Sequence, residues 1–131
     1  MTTGVLQFFE ATTKYLEKKD TRVKKKRETE NERTLLCRSC KHLITDESDR
    51  ITVNQSHTHT CKNPSGLIFT FGCFRDAPGC VISGTASYEF TWFAGYAWQI
   101  AICANCGIHL GWRFRNSDQF FALIINRLIS Q

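Results

Sequence analysis

With 131 residues, 42% of them hydrophobic and ten of them phenylalanine, the chain is long enough for one domain with a buried core. Its 17 Lys/Arg against 12 Asp/Glu leave a net charge of +5, and nine of those cations fall within residues 1–36. The rest is therefore only slightly basic, which argues against a nucleic-acid-binding domain, and no apolar run approaches a membrane-spanning length.

Residues 1–20 place Val5, Phe8, Phe9, Thr12, Tyr15 and Leu16 near one helical face, and residues 17–34 are almost wholly charged. The expectation is a helical or disordered charged N-terminal arm over 1–34, with the domain proper over 35–131. No basic segment precedes an apolar run in the first twenty residues, so no secretory signal is expected. The expected compartment is the cytoplasm, or the nucleus if the run KKKR at 24–27 is read as a nuclear signal.

Cys37 and Cys40 form a first Cys-x-x-Cys pair, followed by a connection read as polar through Asp49. Ile51–Val53 alternates as a strand would, and His57 and His59 fall in a polar stretch expected to be a mobile loop. Asn63, Pro64, Ser65 and Gly66 are a strong turn signal. The β-branched and aromatic run 67–74 predicts a strand, Ala77-Pro78-Gly79 a turn, and residues 80–82 the start of another strand. Tyr88–Phe93 alternates, Gly95 interrupts, and residues 97–102 and 109–114 read as further strands. The last apolar run, 120–129, suits a short helix or a final strand. Many short strands separated by turns make the domain all-β.

Cys37, Cys40, Cys103 and Cys106 are spaced C-x2-C-x62-C-x2-C. Two intervening residues let both sulfurs of a turn converge on one ion, and four thiolates close a tetrahedral shell with no position for water. Seven cysteines in this pattern indicate metal ligands and free thiols, not a disulfide framework. The expected cofactor is one structural zinc ion tying the start of the domain to its end. Of the other thiols, Cys73 and Cys80 read as buried apolar residues. Cys61, beside His59, reads as buried, as an extra ligand or as a nucleophile, and His109 as a knuckle or core histidine.

All three tryptophans, Trp92, Trp98 and Trp112, lie within 27 residues around the second Cys pair. Tryptophan buries a large area and carries a donor that wants a partner, so the cluster points to an aromatic-walled pocket or to a core. In order along the chain stand Cys37-x-x-Cys40, Asn63-Pro64-x-Gly66, Trp92-Phe93-x-Gly95-Tyr96-Ala97-Trp98 and Cys103-x-x-Cys106-x-x-His109-x-Gly111-Trp112-Arg113-Phe114. Over about residues 35–128 this resembles the CULT domain, the thalidomide-binding domain family of cereblon and of small stand-alone bacterial proteins.

The resemblance implies a β-tent, two antiparallel sheets pinned by a four-cysteine zinc site. It implies a cage walled by Trp92, Trp98 and Trp112, closed by Phe114 and rimmed by Asn63 and Pro64. The Phe90 carbonyl and the Trp92 backbone N–H would meet the ligand, with phenylalanine at position 90 as in the bacterial members. The implied ligands are cyclic imides such as glutarimide and thalidomide, uracil-like rings, and cyclic imides at peptide C-termini. No membrane, nucleic-acid or ubiquitin-ligase partner is expected of this chain, and no enzymatic activity. Two alternatives stand beside it: a methionine sulfoxide reductase of the B type, which uses a similar fold and an activated cysteine, and a zinc module that binds nucleic acid through KKKR.

Overall fold

A computed structural model describes residues 33–131, so the helical face expected over 1–20 and all but the last two residues of the arm expected over 1–34 lie outside the described residues. Nine strands follow: β1 (Thr34–Cys37), β2 (Leu43–Asp46), β3 (Thr58–Lys62), β4 (Ile68–Phe74), β5 (Cys80–Ser87), β6 (Ala97–Cys103), β7 (His109–Arg115), β8 (Gln119–Ile124) and β9 (Leu128–Ser130). They make two antiparallel sheets, one ordered β2-β1-β9 and one ordered β3-β4-β8-β7-β6-β5. The described fold is all-β, with two single 3-10 turns at Glu47–Asp49 and Ile125–Arg127 as its only helical residues.

The alternation of side chains along a strand explains how this one sheet carries two cores. On β8, Phe121 and Leu123 pack toward β1, β2 and β9 with Ile44, Leu35 and Leu128, while Phe120, Ala122 and Ile124 face the other way. On β7 a register shift against β6 interrupts the alternation, so Leu110 joins the first core while Trp112 and Phe114 join the second. A strand buried on both faces reads as a continuous apolar run, which is why residues 120–124 left helix and strand equally open. They form β8, and the chain then turns through Ile125–Arg127 into β9.

Three expectations are corrected. The connection after Cys40 contains strand β2, whose buried residues are only Ile44 and Thr45. Backbone placement sets its position: a Cβ on Gly79 would collide with the backbone of Leu43 and Ile44, and the Gly79 N–H donates to Ile44 C=O at 3.0 Å. Ile51–Val53 forms no strand but only a bridge from Val53 to Ser56. Tyr88–Phe93 is a loop, with Phe90 in the left-handed region at φ 59°.

His57 and His59 are also not in a mobile loop. His59 is in β3, and its Nε2 bonds the carbonyls of Val53 and Ser56, both at 3.0 Å. His57 Nδ1 bonds Ile51 C=O at 3.0 Å, and its ring lies so close to Gly72 that a Cβ there would strike it. The two imidazoles tie segment 51–56 to β4, His59 stacked on Phe71 of the second core and His57 edge-on to Phe74 of the first.

Candidate functional site

The four cysteines come from two turns of the same construction. Cys37 ends β1 and Cys103 ends β6, and in each turn the residue four positions on donates back to the first cysteine, Lys41 N–H to Cys37 C=O at 2.7 Å and Gly107 N–H to Cys103 C=O at 2.9 Å. Both donors have positive φ, 69° and 79°, which bends the chain so that the second sulfur turns inward. The four Sγ atoms all lie within 4.8 Å of one another, with Cys37–Cys106 at 3.8 Å and Cys40–Cys103 at 3.6 Å.

A tetrahedron of thiolates about 2.3 Å from a central zinc ion has edges of about 3.8 Å. The donor set therefore fits one tetrahedral soft metal ion. Burial pushes the Cys37 thiol up to about 11, while the Asn105 side chain holds Cys40 down to about 6. A bound dication favours the thiolate at all four positions. Burial also raises the Cys61 thiol, and it pushes Cys73 and Cys80 up to about 12. None of the three has the lowered pKa of a nucleophilic cysteine.

On the opposite face of the six-stranded sheet lies a cavity of about 390 Å3, within the size range of small-molecule sites. Asn63, Pro64, Phe90, Trp92, Trp98, Trp112 and Phe114 all line it, so the structure gathers in one place every residue that the sequence assigned to the cage. Trp112, on the central strand β7, stands edge-on to Trp92 (centroids 4.9 Å, interplanar angle 77°). Trp98 lies one strand over on β6, and Phe114 forms a floor that is almost fully buried. Leu67, Phe69, Ile100 and His109 complete the lining. Leu67, Phe69 and Ile100 carry no sequence signal, because an apolar residue in a strand-like run is not marked as pocket or core by its type alone. For His109 the knuckle reading is corrected. Its Nε2–H donates to Gly111 C=O at 2.9 Å, its ring is edge-on to Trp112 at 5.0 Å, and burial lowers its pKa, so the imidazole is neutral.

The indole donors hold the rim together. Trp98 Nε1–H donates to Glu89 C=O at 2.7 Å and Trp92 Nε1–H to Lys62 C=O at 3.1 Å. On the opposite rim the Asn63 side-chain oxygen accepts from the N–H groups of Ser65 and Leu67, at 3.0 and 2.9 Å, and Gly66 takes φ 91°. Asn63 thus builds the β3–β4 turn that brings Pro64 to the cavity. Between the pinned residues, no hydrogen bond among the described residues uses the Phe90 C=O or the Trp92 backbone N–H.

No family model matches the chain. Among curated proteins, 89 residues are 34% identical to Drosophila melanogaster cereblon, covering 65% of this chain and 15% of that protein. A stretch of 85 residues is 34% identical to the Drosophila grimshawi protein, covering 63% of the chain and 13% of the relative. A stretch of 52 residues is 46% identical to chicken cereblon, covering 40% of the chain and 12% of that protein. The chain is similar to cereblon. It spans only 12 to 15% of the length of these three relatives. The similarity agrees with the CULT motifs, and together with the two sheets and the cysteine cluster it describes a cereblon-like β-tent module with four cysteines placed to hold one metal ion. Among the described residues no helix is long and apolar enough to cross a membrane.

Proposed function

We propose that the aromatic cavity binds cyclic imides, and that a zinc ion on Cys37, Cys40, Cys103 and Cys106 holds the fold that shapes it. The observation that carries this reading is the unpaired backbone edge in the 88–96 loop, the Phe90 C=O and the Trp92 N–H at the rim of an aromatic box. An imide presents C=O, N–H and C=O along one edge, which complements a carbonyl and an N–H. The CH2 groups of a glutarimide ring suit the faces of Trp92, Trp98 and Trp112, and a uracil ring carries the same edge. No carboxylate lines the cavity, which disfavours a cationic ligand.

In this reading residues 35–131 form the binding domain and 1–34 an arm, and the protein is a binding module and not an enzyme. A peptide ending in a cyclic imide belongs to the same ligand class, as does thalidomide. The reductase alternative loses its nucleophile, because burial raises the pKa of Cys61, Cys73 and Cys80. The nucleic-acid alternative rests on residues 24–27, outside the described residues.

Titration of zinc-loaded protein with glutarimide and with uracil is expected to give saturable quenching of tryptophan fluorescence. N-methylglutarimide strands the Phe90 carbonyl without a donor, at a cost of about 1–3 kcal/mol, or about 5- to 150-fold in affinity. Equal affinity for glutarimide and its N-methyl derivative would sink the imide reading.

A further inference from the structure

Arg127 sits at the corner where the chain leaves the six-stranded sheet after β8 and enters the three-stranded sheet at β9. Its Nη1–H donates to His109 C=O at 2.7 Å, a charge-assisted bond. Its guanidinium carbon lies 6.0 Å from the centroid of the Phe69 ring, and its own carbonyl accepts from Arg38 N–H at 3.0 Å. Arg38 follows Cys37 inside the first cysteine turn. His109 stands three residues after Cys106, and the Ile108 carbonyl before it accepts from Cys103 N–H at 2.9 Å. Phe69 and His109 both line the cavity, and both meet Trp112 edge-on, at 5.1 and 5.0 Å. One side chain and its carbonyl thus join both cysteine turns to two walls of the cavity.

We infer that Arg127 is a positioning residue that couples the four-cysteine site to the cavity, so that an imide in the cavity tightens metal binding and metal in the cysteine site tightens imide binding. The inference rests on the imide reading above. Without a common centre, the first cysteine turn keeps only its own backbone bonds and that from Arg38 N–H to Arg127 C=O, the second its own and that from Ala104 N–H to Gly79 C=O, and Arg38 and His109 share a less fixed frame. Arg127 then cannot keep both its carbonyl on Arg38 N–H and its Nη1–H on His109 C=O, and His109 and Phe69 move relative to Trp112. A ligand that requires those walls in place favours the arrangement that the metal also favours. Such linkage is reciprocal by thermodynamic necessity.

The test measures zinc affinity by competition against a chelator, with and without saturating glutarimide. In the unaltered chain glutarimide raises zinc affinity about fivefold or more. In Arg127→Met that ratio falls to about one, while the protein still takes up one zinc when no chelator competes. Arg127→Lys keeps the charge but not the planar fork, and its ratio falls in between; it also supplies the answer if the Met variant does not fold. A merely structural role for Arg127 predicts weaker zinc binding by the same factor with and without glutarimide, leaving the ratio unchanged, and that result overturns the inference. Glutarimide that quenches tryptophan fluorescence yet leaves zinc affinity unaltered in the unaltered chain overturns the coupling alone. No fluorescence response at all overturns the imide reading and the coupling with it.

Discussion

Replacing Cys103 with serine is expected to remove most of the domain's stability. Cys103 ends β6, is 1% exposed, and brings its sulfur to 3.6 Å from that of Cys40. A serine hydroxyl leaves three soft ligands, and the metal no longer ties β1 to the β6–β7 turn. Structural zinc sites of this kind contribute an apparent ~10–16 kcal/mol, against a net stability of ~5–15 kcal/mol for a whole domain. The loss is therefore of the same order as the whole net stability, and the apolar contacts hold the metal-free fold only marginally. Far-UV circular dichroism and zinc content per chain check this together. The variant should hold little zinc and melt far below the parent temperature, and chelation of the unaltered protein should do the same. Cys61→Ser, which alters a thiol outside the tetrahedral set, should keep one zinc per chain. A Cys103→Ser protein that melts cooperatively near the parent temperature without metal would mean that the two cores suffice.

Trp112→Ala is expected to weaken imide binding strongly and to cost about 3–5 kcal/mol of stability. The indole is 7% exposed on the central strand β7, edge-on to Phe69, Trp92 and His109 at 5.1, 4.9 and 5.0 Å. Its removal opens the cavity into the second core and takes away a ring face, an affinity loss on the order of 100-fold. Trp98→Phe separates binding from folding. It keeps a ring at the wall but deletes the 2.7 Å bond from Nε1–H to Glu89 C=O, at about 1 kcal/mol of stability. Because that bond holds the loop that presents Phe90 at φ 59°, imide affinity should fall roughly 10-fold as the loop loses its ordering. Thermal melts and fluorescence titrations on the two variants measure both quantities. Parent-like affinity in Trp98→Phe would show that the loop needs no anchor.

The metal site was legible because two-residue spacing leaves little freedom. Given a turn, both sulfurs converge, and the structure places all four within 4.8 Å. That Asn63, Pro64, Phe90, Trp92, Trp98, Trp112 and Phe114 share one place follows from the resemblance carried by the order of the motifs, and they line one cavity together. What local pattern could not reveal is what long-range partners decide. β2 is a strand because Leu35 and Thr45 pair across the sheet and Gly79 admits its backbone, although the stretch around it is polar. His57 and His59 look solvated until the carbonyls of Ile51, Val53 and Ser56 arrive as partners. Tyr88–Phe93 alternates like a strand, yet the Trp98 bond to Glu89 holds it as a loop with its edge unpaired. His109 belongs to the cavity only because a bulge in the β6–β7 pairing, between Ala101 and Ile102, brings it beside Trp112.

The most direct measurement of the central claim is an amide-resolved NMR titration of zinc-loaded protein with glutarimide. The expected result is a saturable downfield shift of the Trp92 backbone N–H, accompanied by changes at Trp98, His109 and Trp112 and absent with N-methylglutarimide. Glutarimide that leaves the Trp92 N–H unmoved, or shifts residues away from the cavity, would contradict the claim that this loop edge reads the imide.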